Sequence, residues 1–177
     1  FNKIIISNSL FTNNTTSGTS YGGAIGVYSA SPTIRNCTFT RNSATIGGAI
    51  YTYEFNATIE NCKISNNTAN NGGGLYSEGY NSSTVVNTLI VNNTALNYGG
   101  GLYLEKDNPQ NFINCTVSNN SAQYGGGMSL VNNSDPVIKN CIFWSNYASV
   151  SGNEFNLYDV ASDPKIYYSD IEGNSAS

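Results

Sequence analysis

Residues able to carry chemistry are few, and the missing ones decide as much as those present. The chain has no histidine, so neither a Ser-His-Asp relay, a Cys-His pair nor a His-ligated metal can be assembled. Any acid, base or nucleophile must come from 11 Asp and Glu, 7 Lys and Arg, and 4 Cys among 177 residues. Three groupings stand out. Tyr51, Tyr76 and Tyr103 recur at near-constant spacing, each followed two residues on by Tyr53, Glu78 or Glu105. An exposed aromatic ladder beside acceptors suits carbohydrate binding, because ring faces pack on the apolar faces of sugars while carboxylates take hydroxyls. The same ladder serves equally to stabilise neighbouring strands, as cross-strand aromatic pairs do, and spacing alone leaves both readings open. Cys37, Cys62, Cys115 and Cys141 lie 25 or more residues apart without a CxxC, which excludes a local metal knuckle. Asp159, Asp163, Asp170 and Glu172 crowd the C-terminal stretch. Calcium-assisted lyase chemistry would need carboxylates on adjacent elements and a basic partner, yet only Lys165 is near, so a solvated turn is expected. The expectation is therefore a protein that is not an enzyme and carries no cofactor or metal.

Composition narrows the partners. Net charge is -4 and only 10% of residues are charged, which argues against a nucleic-acid or anionic-membrane surface. The hydrophobic 39% arrives in runs of two to four, far from the roughly 18 apolar residues of a membrane span. The chain opens at Phe1 without an initiator Met or a signal-peptide pattern, so residues 1–177 are read as one domain that is a processed form or an excerpt of something longer. Sequons such as those at Asn56, Asn81 and Asn132 occur, but an Asn-rich repeat generates such triplets by chance.

The elements that must position these residues are written in a repeat. Residues 36–51, NCTFTRNSATIGGAIY, return from Asn61 as NCKISNNTANNGGGLY, from Asn87 as NTLIVNNTALNYGGGLY and from Asn114 as NCTVSNNSAQYGGGMS, with weaker copies from Asn8, Asn140 and Tyr168. The markers Ser9, Cys37, Cys62, Thr88, Cys115, Cys141 and Ser169 are 28, 25, 26, 27, 26 and 28 residues apart. A period near 26 with strand-like patterning predicts a solenoid in which each copy is one coil.

Each coil reads as three short strands. The first buries Ile6, Ile34, Ile59, Val85, Phe112, Ile138 or Ile166. The second sets the Cys column and Phe11, Phe39, Ile64, Ile90, Val117, Phe143 or Ile171 on one face, with Thr38, Lys63 and Thr116 outward. The third, after the glycines, points Ile25, Ile50, Leu75, Leu102, Met128 and Phe155 inward; Thr52 and Ser77 weaken the inward column two residues on. Asn14, Asn42, Asn67, Asn93, Asn120, Asn146 and Asn174 fall in one column, where an inward Asn can bond its counterparts above and below and accept the left-handed conformation of a bend. The variable stretch between that Asn and the Gly pair reads as loop. Stacked Cys37 and Cys62, like Cys115 and Cys141, would have Cα atoms about 4.8 Å apart and Cβ atoms nearly as far apart, where a disulfide wants about 3.8 Å between Cβ atoms, which favours a free-thiol ladder.

The alternation of GG(A/G)(I/L/M), at residues 22–25, 47–50, 72–75, 99–102 and 125–128, with (F/I/V)xxN, at residues 11–14, 39–42, 64–67, 90–93, 117–120 and 143–146, resembles the repeats of chlamydial-type polymorphic outer membrane proteins. The ending SDPKIYYSDIEG is similar to secreted bacterial right-handed parallel β-helix proteins that carry a C-terminal anchoring domain. The resemblance implies an all-β, right-handed parallel β-helix of about seven coils, as the usual handedness of parallel crossovers also requires. It further implies secretion and a cell-surface setting, and it carries no catalytic residue to this chain.

Two classes of function follow. The first is a non-enzymatic extracellular structural or adhesive β-helix that binds host or extracellular glycans, or stacks head to tail through uncapped coils into a filament. The alternative is a carbohydrate-binding or polysaccharide-degrading fragment, which the missing His and sparse carboxylates disfavour. An ice-binding role would need a regular outward Thr array, and Leu10, Thr38, Lys63, Leu89, Thr116 and Ile142 are too mixed for one.

Overall fold

The structure, a computed structural model, describes residues 4–28, 30–54, 56–80 and 82–173. Every regular element among them is a strand of two to five residues, and every pairing between strands is parallel. Strands this short cannot form alone. They persist because each is bonded to its copy one coil away and turns one side chain into a shared interior.

The first sheet stacks Ile5–Ser7, Thr33–Arg35, Thr58–Glu60, Thr84–Val86, Asn111–Ile113, Val137–Lys139 and Lys165–Tyr167 in chain order. The second stacks seven strands from Leu10–Thr12 to Asp170–Ile171, and the third six from Ile25–Val27 to Phe155–Leu157. Register follows the repeat: Ile34 sits opposite Ile59, Phe39 opposite Ile64 and Leu75 opposite Leu102. These columns meet as one buried core that also holds all four Cys. The chain thus makes about six turns near 26 residues each, close to the expected seven coils. No helix of the described residues is long and apolar enough to cross a membrane.

The number of strands per coil is corrected. A fourth sheet, formed by Thr68–Asn71, Thr94–Tyr98, Ser121–Tyr124 and Tyr147–Ser151, occupies the stretch expected to be loop. Isolated bridges from Thr15 to Ser43 and from Tyr21 to Ile46 continue it into the earlier coils. Its length varies because the register shifts between Ala95 and Tyr98, so an extra residue is absorbed as a bulge and pairing resumes beyond it.

The turns are set by two left-handed positions and the glycines. Asn8, Asn36, Asn61, Asn87, Asn114, Asn140 and Tyr168 have φ between 49° and 54° at the corner from first to second strand. At the next corner the left-handed residue is Asn13, Arg41, Asn66, Asn92, Asn119 or Ser145, with φ from 55° to 58°. The ladder Asn follows it and does not itself take that conformation, which corrects the expectation. After the fourth strand, Gly99 has φ +64°, and a Cβ on Gly100 would meet the Gly126 carbonyl oxygen at 2.4 Å and that of Ser121 at 2.5 Å. Only a residue without a side chain allows coils to approach that closely.

Freed from the bend, the ladder Asn links three coils. In Asn93 the side-chain oxygen accepts the Asn67 backbone N–H at 3.0 Å and the Asn67 amide at 2.9 Å. Its own amide donates to the Asn120 side-chain oxygen at 3.0 Å and back to the Ile64 carbonyl at 3.0 Å. The pattern runs from Asn14 through Asn42, Asn67, Asn93 and Asn120 to Asn146. Asn146 donates its backbone N–H to Glu154 Oε1 at 3.2 Å and its amide to the other carboxylate oxygen, so a buried acid stands where the next rung's amide would be. Burial raises the Glu154 carboxyl above its usual range, against the opposing Asn146 bonds. Asn174, the expected next member, lies outside the described residues, as does the sequon residue Asn81.

The Cys column has a hydrogen-bonding reason. Cys37, Cys62, Cys115 and Cys141 are free and buried, and each thiol donates to the carbonyl two residues before it at 3.2–3.4 Å. Thr88 makes the same bond to Val86 at 2.9 Å, and Ser9 and Ser169 make it to Ser7 and Tyr167 at 2.8 Å. The column therefore selects a small side chain with a donor, and Cys, Thr and Ser all qualify. Burial pushes the Cys62 thiol up to about 11. Thr52 and Ser77 are buried rather than weak points. Ser77 Oγ accepts from Thr52 Oγ1 at 2.9 Å and from the buried Asn108 amide at 3.0 Å, while Gln110 donates to it as well.

Replacing Asn93 by Ala should cost at least about 2 kcal/mol in urea unfolding, because it strands donors and acceptors of two other coils in the interior. Asn14→Ala, on an exposed rung, should cost under about 1 kcal/mol because water replaces the lost partner. Alkylation of the denatured, unreduced chain should add four groups by intact mass, whereas the native chain should react slowly at all four thiols. Fewer than four adducts without reduction would establish a disulfide instead.

Candidate ligand-binding face

Tyr51, Tyr76 and Tyr103 stand in register on the outer side of the third sheet, with ring centroids 5.6 Å and 4.6 Å apart. The expectation that these rings are exposed is corrected: they are 2%, 5% and 7% accessible. The fourth sheet explains the difference. Its strands run out beside the third sheet, and Ile46, Tyr53 and Tyr98 pack against the Tyr column to make a second apolar cluster outside the main core. Tyr21 and Tyr28 close over Tyr51, with centroids at 4.9 Å and 5.3 Å.

Tyr53, Glu78 and Glu105 form the half-buried column two residues on, in register as expected. The carboxylates are committed. Tyr51 donates its hydroxyl to Glu78 Oε2 at 2.9 Å, and Tyr76 donates to Glu105 Oε2 in the next coil. Lys106 forms an ion pair with the other oxygen of Glu78. Burial, together with these carboxylates, raises the Tyr51 and Tyr76 phenols well above the ordinary tyrosine range. A hydrogen bond to Glu54 does the same, to a lesser extent, for Tyr53. Tyr51 and Tyr76 are thus each bonded to the Glu one rung along and two residues on, and ring and carboxylate together tie adjacent coils.

The pattern breaks once. The residue opposite Glu105 in the next coil is Val131, so Tyr103 finds no carboxylate. No hydrogen bond is formed by the hydroxyls of Tyr98, Tyr103 or Tyr158 among the described residues. At this point lies a cavity of about 240 Å³, lined by Tyr98, Tyr103, Val131, Asn132 and Tyr158. Tyr98 stacks on Tyr124 at 5.0 Å and meets Tyr158 edge-on at 6.0 Å and 83°. The polar rim is fixed by bonds. Asn132 donates its side-chain amide to Glu105 Oε1 at 3.4 Å, and its backbone N–H to Asp159. Burial acts to raise the Asp159 carboxyl, but N–H donors from Asn132, Asn133 and Ala161 and the Ser162 hydroxyl hold it below the usual range.

Tyr98, Tyr158 and Asn132 were not singled out from sequence as ligand-facing. A signal existed for the first: the residue before the Gly pair is Tyr21, Ile46, Tyr98 or Tyr124 in four of the copies, an apolar column beside a supposed loop. The C-terminal acids do not converge. Asp159 caps its own turn, Asp163 pairs with Lys165, and Glu172 accepts the Ser145 N–H. Among the described residues no three His, Cys, Asp or Glu side chains are grouped to hold a metal ion.

A family model described as a right handed beta helix region matches residues 2–68 and, in a second overlapping alignment, residues 23–177. No curated protein and no solved structure matches the chain.

Tyr76→Phe should destabilise the chain by about 1.5 to 3 kcal/mol in urea unfolding, the range for a hydrogen bond to a charged group. Tyr103→Phe, whose hydroxyl bonds no protein group, should change stability by less than about 0.5 kcal/mol. Equal losses at the two positions would mean that the Tyr-to-Glu bonds do not tie the coils.

Proposed function

The chain belongs to the right-handed β-helix family, and we propose that it is a non-enzymatic extracellular β-helix whose coils form a stiff rod and whose role is adhesive. The observation that carries the reading is the commitment of the repeated polar side chains to coil-to-coil bonds: the Asn ladder inside, and the Tyr-to-Glu bonds with Lys106 outside. Groups held this way stiffen a scaffold and are poorly placed to transfer protons. A general acid or base needs a side chain free to face substrate, with a pKa matched to the task. The extracellular setting rests on the resemblance of the paired glycine and (F/I/V)xxN motifs to surface proteins of the polymorphic outer membrane type. Tyr98, Tyr103 and Tyr158, whose hydroxyls bond no protein group among the described residues, line the outer cavity, which supports contact with a ligand there.

Incubated with a panel of plant, algal and animal polysaccharides, the chain should be retained on at least one immobilised glycan or matrix surface. It should generate neither new reducing ends nor unsaturated products. Product exceeding the protein in molar amount would overturn the non-enzymatic part of the proposal. Absence of retention on every surface would overturn the adhesive part.

A further inference from the structure

We propose that the cavity between Tyr98, Tyr103, Val131, Asn132 and Tyr158 is a subsite for one neutral hexopyranose residue of a glycan. The inference deepens the adhesive reading and rests on it. Its starting point is the end of the outer ladder, where Ser129 and Val131 follow Tyr103 and Glu105. Where the rung after Glu105 carries Val131 in place of a carboxylate, the Tyr103 hydroxyl loses the partner that Tyr51 and Tyr76 have, and the surface opens beside it. Tyr98 and Tyr158 add two more phenol hydroxyls that bond no protein group among the described residues, and Tyr158 is 63% accessible.

The shape and chemistry of that opening fit a sugar ring. A pyranose offers an apolar C–H face and a rim of hydroxyls. The cavity offers aromatic faces at right angles, with Tyr98 and Tyr158 at 83°, and a rim of phenols and the Asn132 amide. At about 240 Å³ it is smaller than the roughly 300 Å³ at which sites for larger ligands begin, so it takes one ring rather than a chain of them. Local charge selects among sugars. Glu105 and Asp159 flank Asn132, and the neighbouring cation Lys106 is paired with Glu78. An anionic uronate or sialate entering beside two carboxylates is repelled, whereas a neutral hexose is not.

Ligand-observed saturation-transfer NMR on the whole chain, with methyl glycosides of neutral hexoses and of galacturonate, tests the proposal. At least one neutral glycoside should receive saturation, with Kd about 1 mM. Tyr158→Ala should weaken it by about threefold to tenfold through the lost ring face. Tyr103→Phe should weaken it by about fivefold through the lost hydrogen bond while the urea midpoint stays that of wild type. No saturation of any neutral hexoside, unchanged binding in both variants, or preference for the galacturonate would each overturn the subsite. Retention of wild type and both variants alike on an adhesive surface would overturn the subsite and leave the adhesive role standing. Loss of retention for wild type as well would overturn the adhesive role first.

Discussion

The constraint on which everything else depends is that a buried Asn must find four partners in the two coils on either side of its own. Asn93 meets it only if the coils before and after are in step, because its oxygen serves both the backbone and the side chain of Asn67 while its amide serves Ile64 and Asn120. A slip of one residue would turn the amide outward and leave those groups unpaired in the core. The core columns alone could not enforce this, since Ile, Val and Phe exchange freely within them and apolar packing is not directional. Hydrophobic burial holds the coils together, and the Asn ladder sets which atoms face which.

Other features of the coil follow from that register. A left-handed residue directly before each described ladder Asn turns the chain at this corner, a conformation that favours Asn and that Arg41 and Ser145 also adopt. Glycine is needed where backbones then come within contact distance, as at Gly100. The Cys, Thr and Ser column caps the other corner by one repeated bond to the carbonyl two residues back. When an apolar column fails, as at Thr52 and Ser77, the chain compensates with polar groups from a loop: Asn108 and Gln110 are both fully buried against Ser77. The ladder itself closes on Glu154, which has both carboxylate oxygens to offer the donors of Asn146 and, unlike Asn, no donor to pass on.

This periodicity made most of the fold legible in the sequence. Ile34, Phe39 and Leu75 could be placed because each has counterparts about 26 residues away that obey the same alternation, and their registers followed. The fourth sheet was not legible, because Thr68–Asn71 and Thr94–Tyr98 differ in length and the bulge that reconciles them leaves no fixed spacing. The burial of Tyr51, Tyr76 and Tyr103 was missed for a related reason. Alternation along a strand tells which face of its own sheet a residue occupies, but not whether another part of the coil covers that face. Once the unseen sheet is in place, Ile46 and Tyr98 cover it.

A solenoid of this kind also limits where function can reside. Groups in a regular column are satisfied by their own copies, as Tyr51 is by Glu78 and Tyr76 by Glu105, so the repeat consumes the chemistry it multiplies. An unspent group arises where a ladder ends, because each Tyr draws on the Glu of the following rung. Both columns end together: the coil after Tyr103 and Glu105 carries Ser129 and Val131 at these positions, so the last Tyr has no carboxylate one rung along. The cost is small, since a phenol that reaches solvent can bond water, and the gain is a concave site with free donors on a rigid wall. Rigidity matters because an ordered site loses little conformational freedom when it binds. The ladders that fix the register thereby also preorganise the wall on which Tyr103 stands.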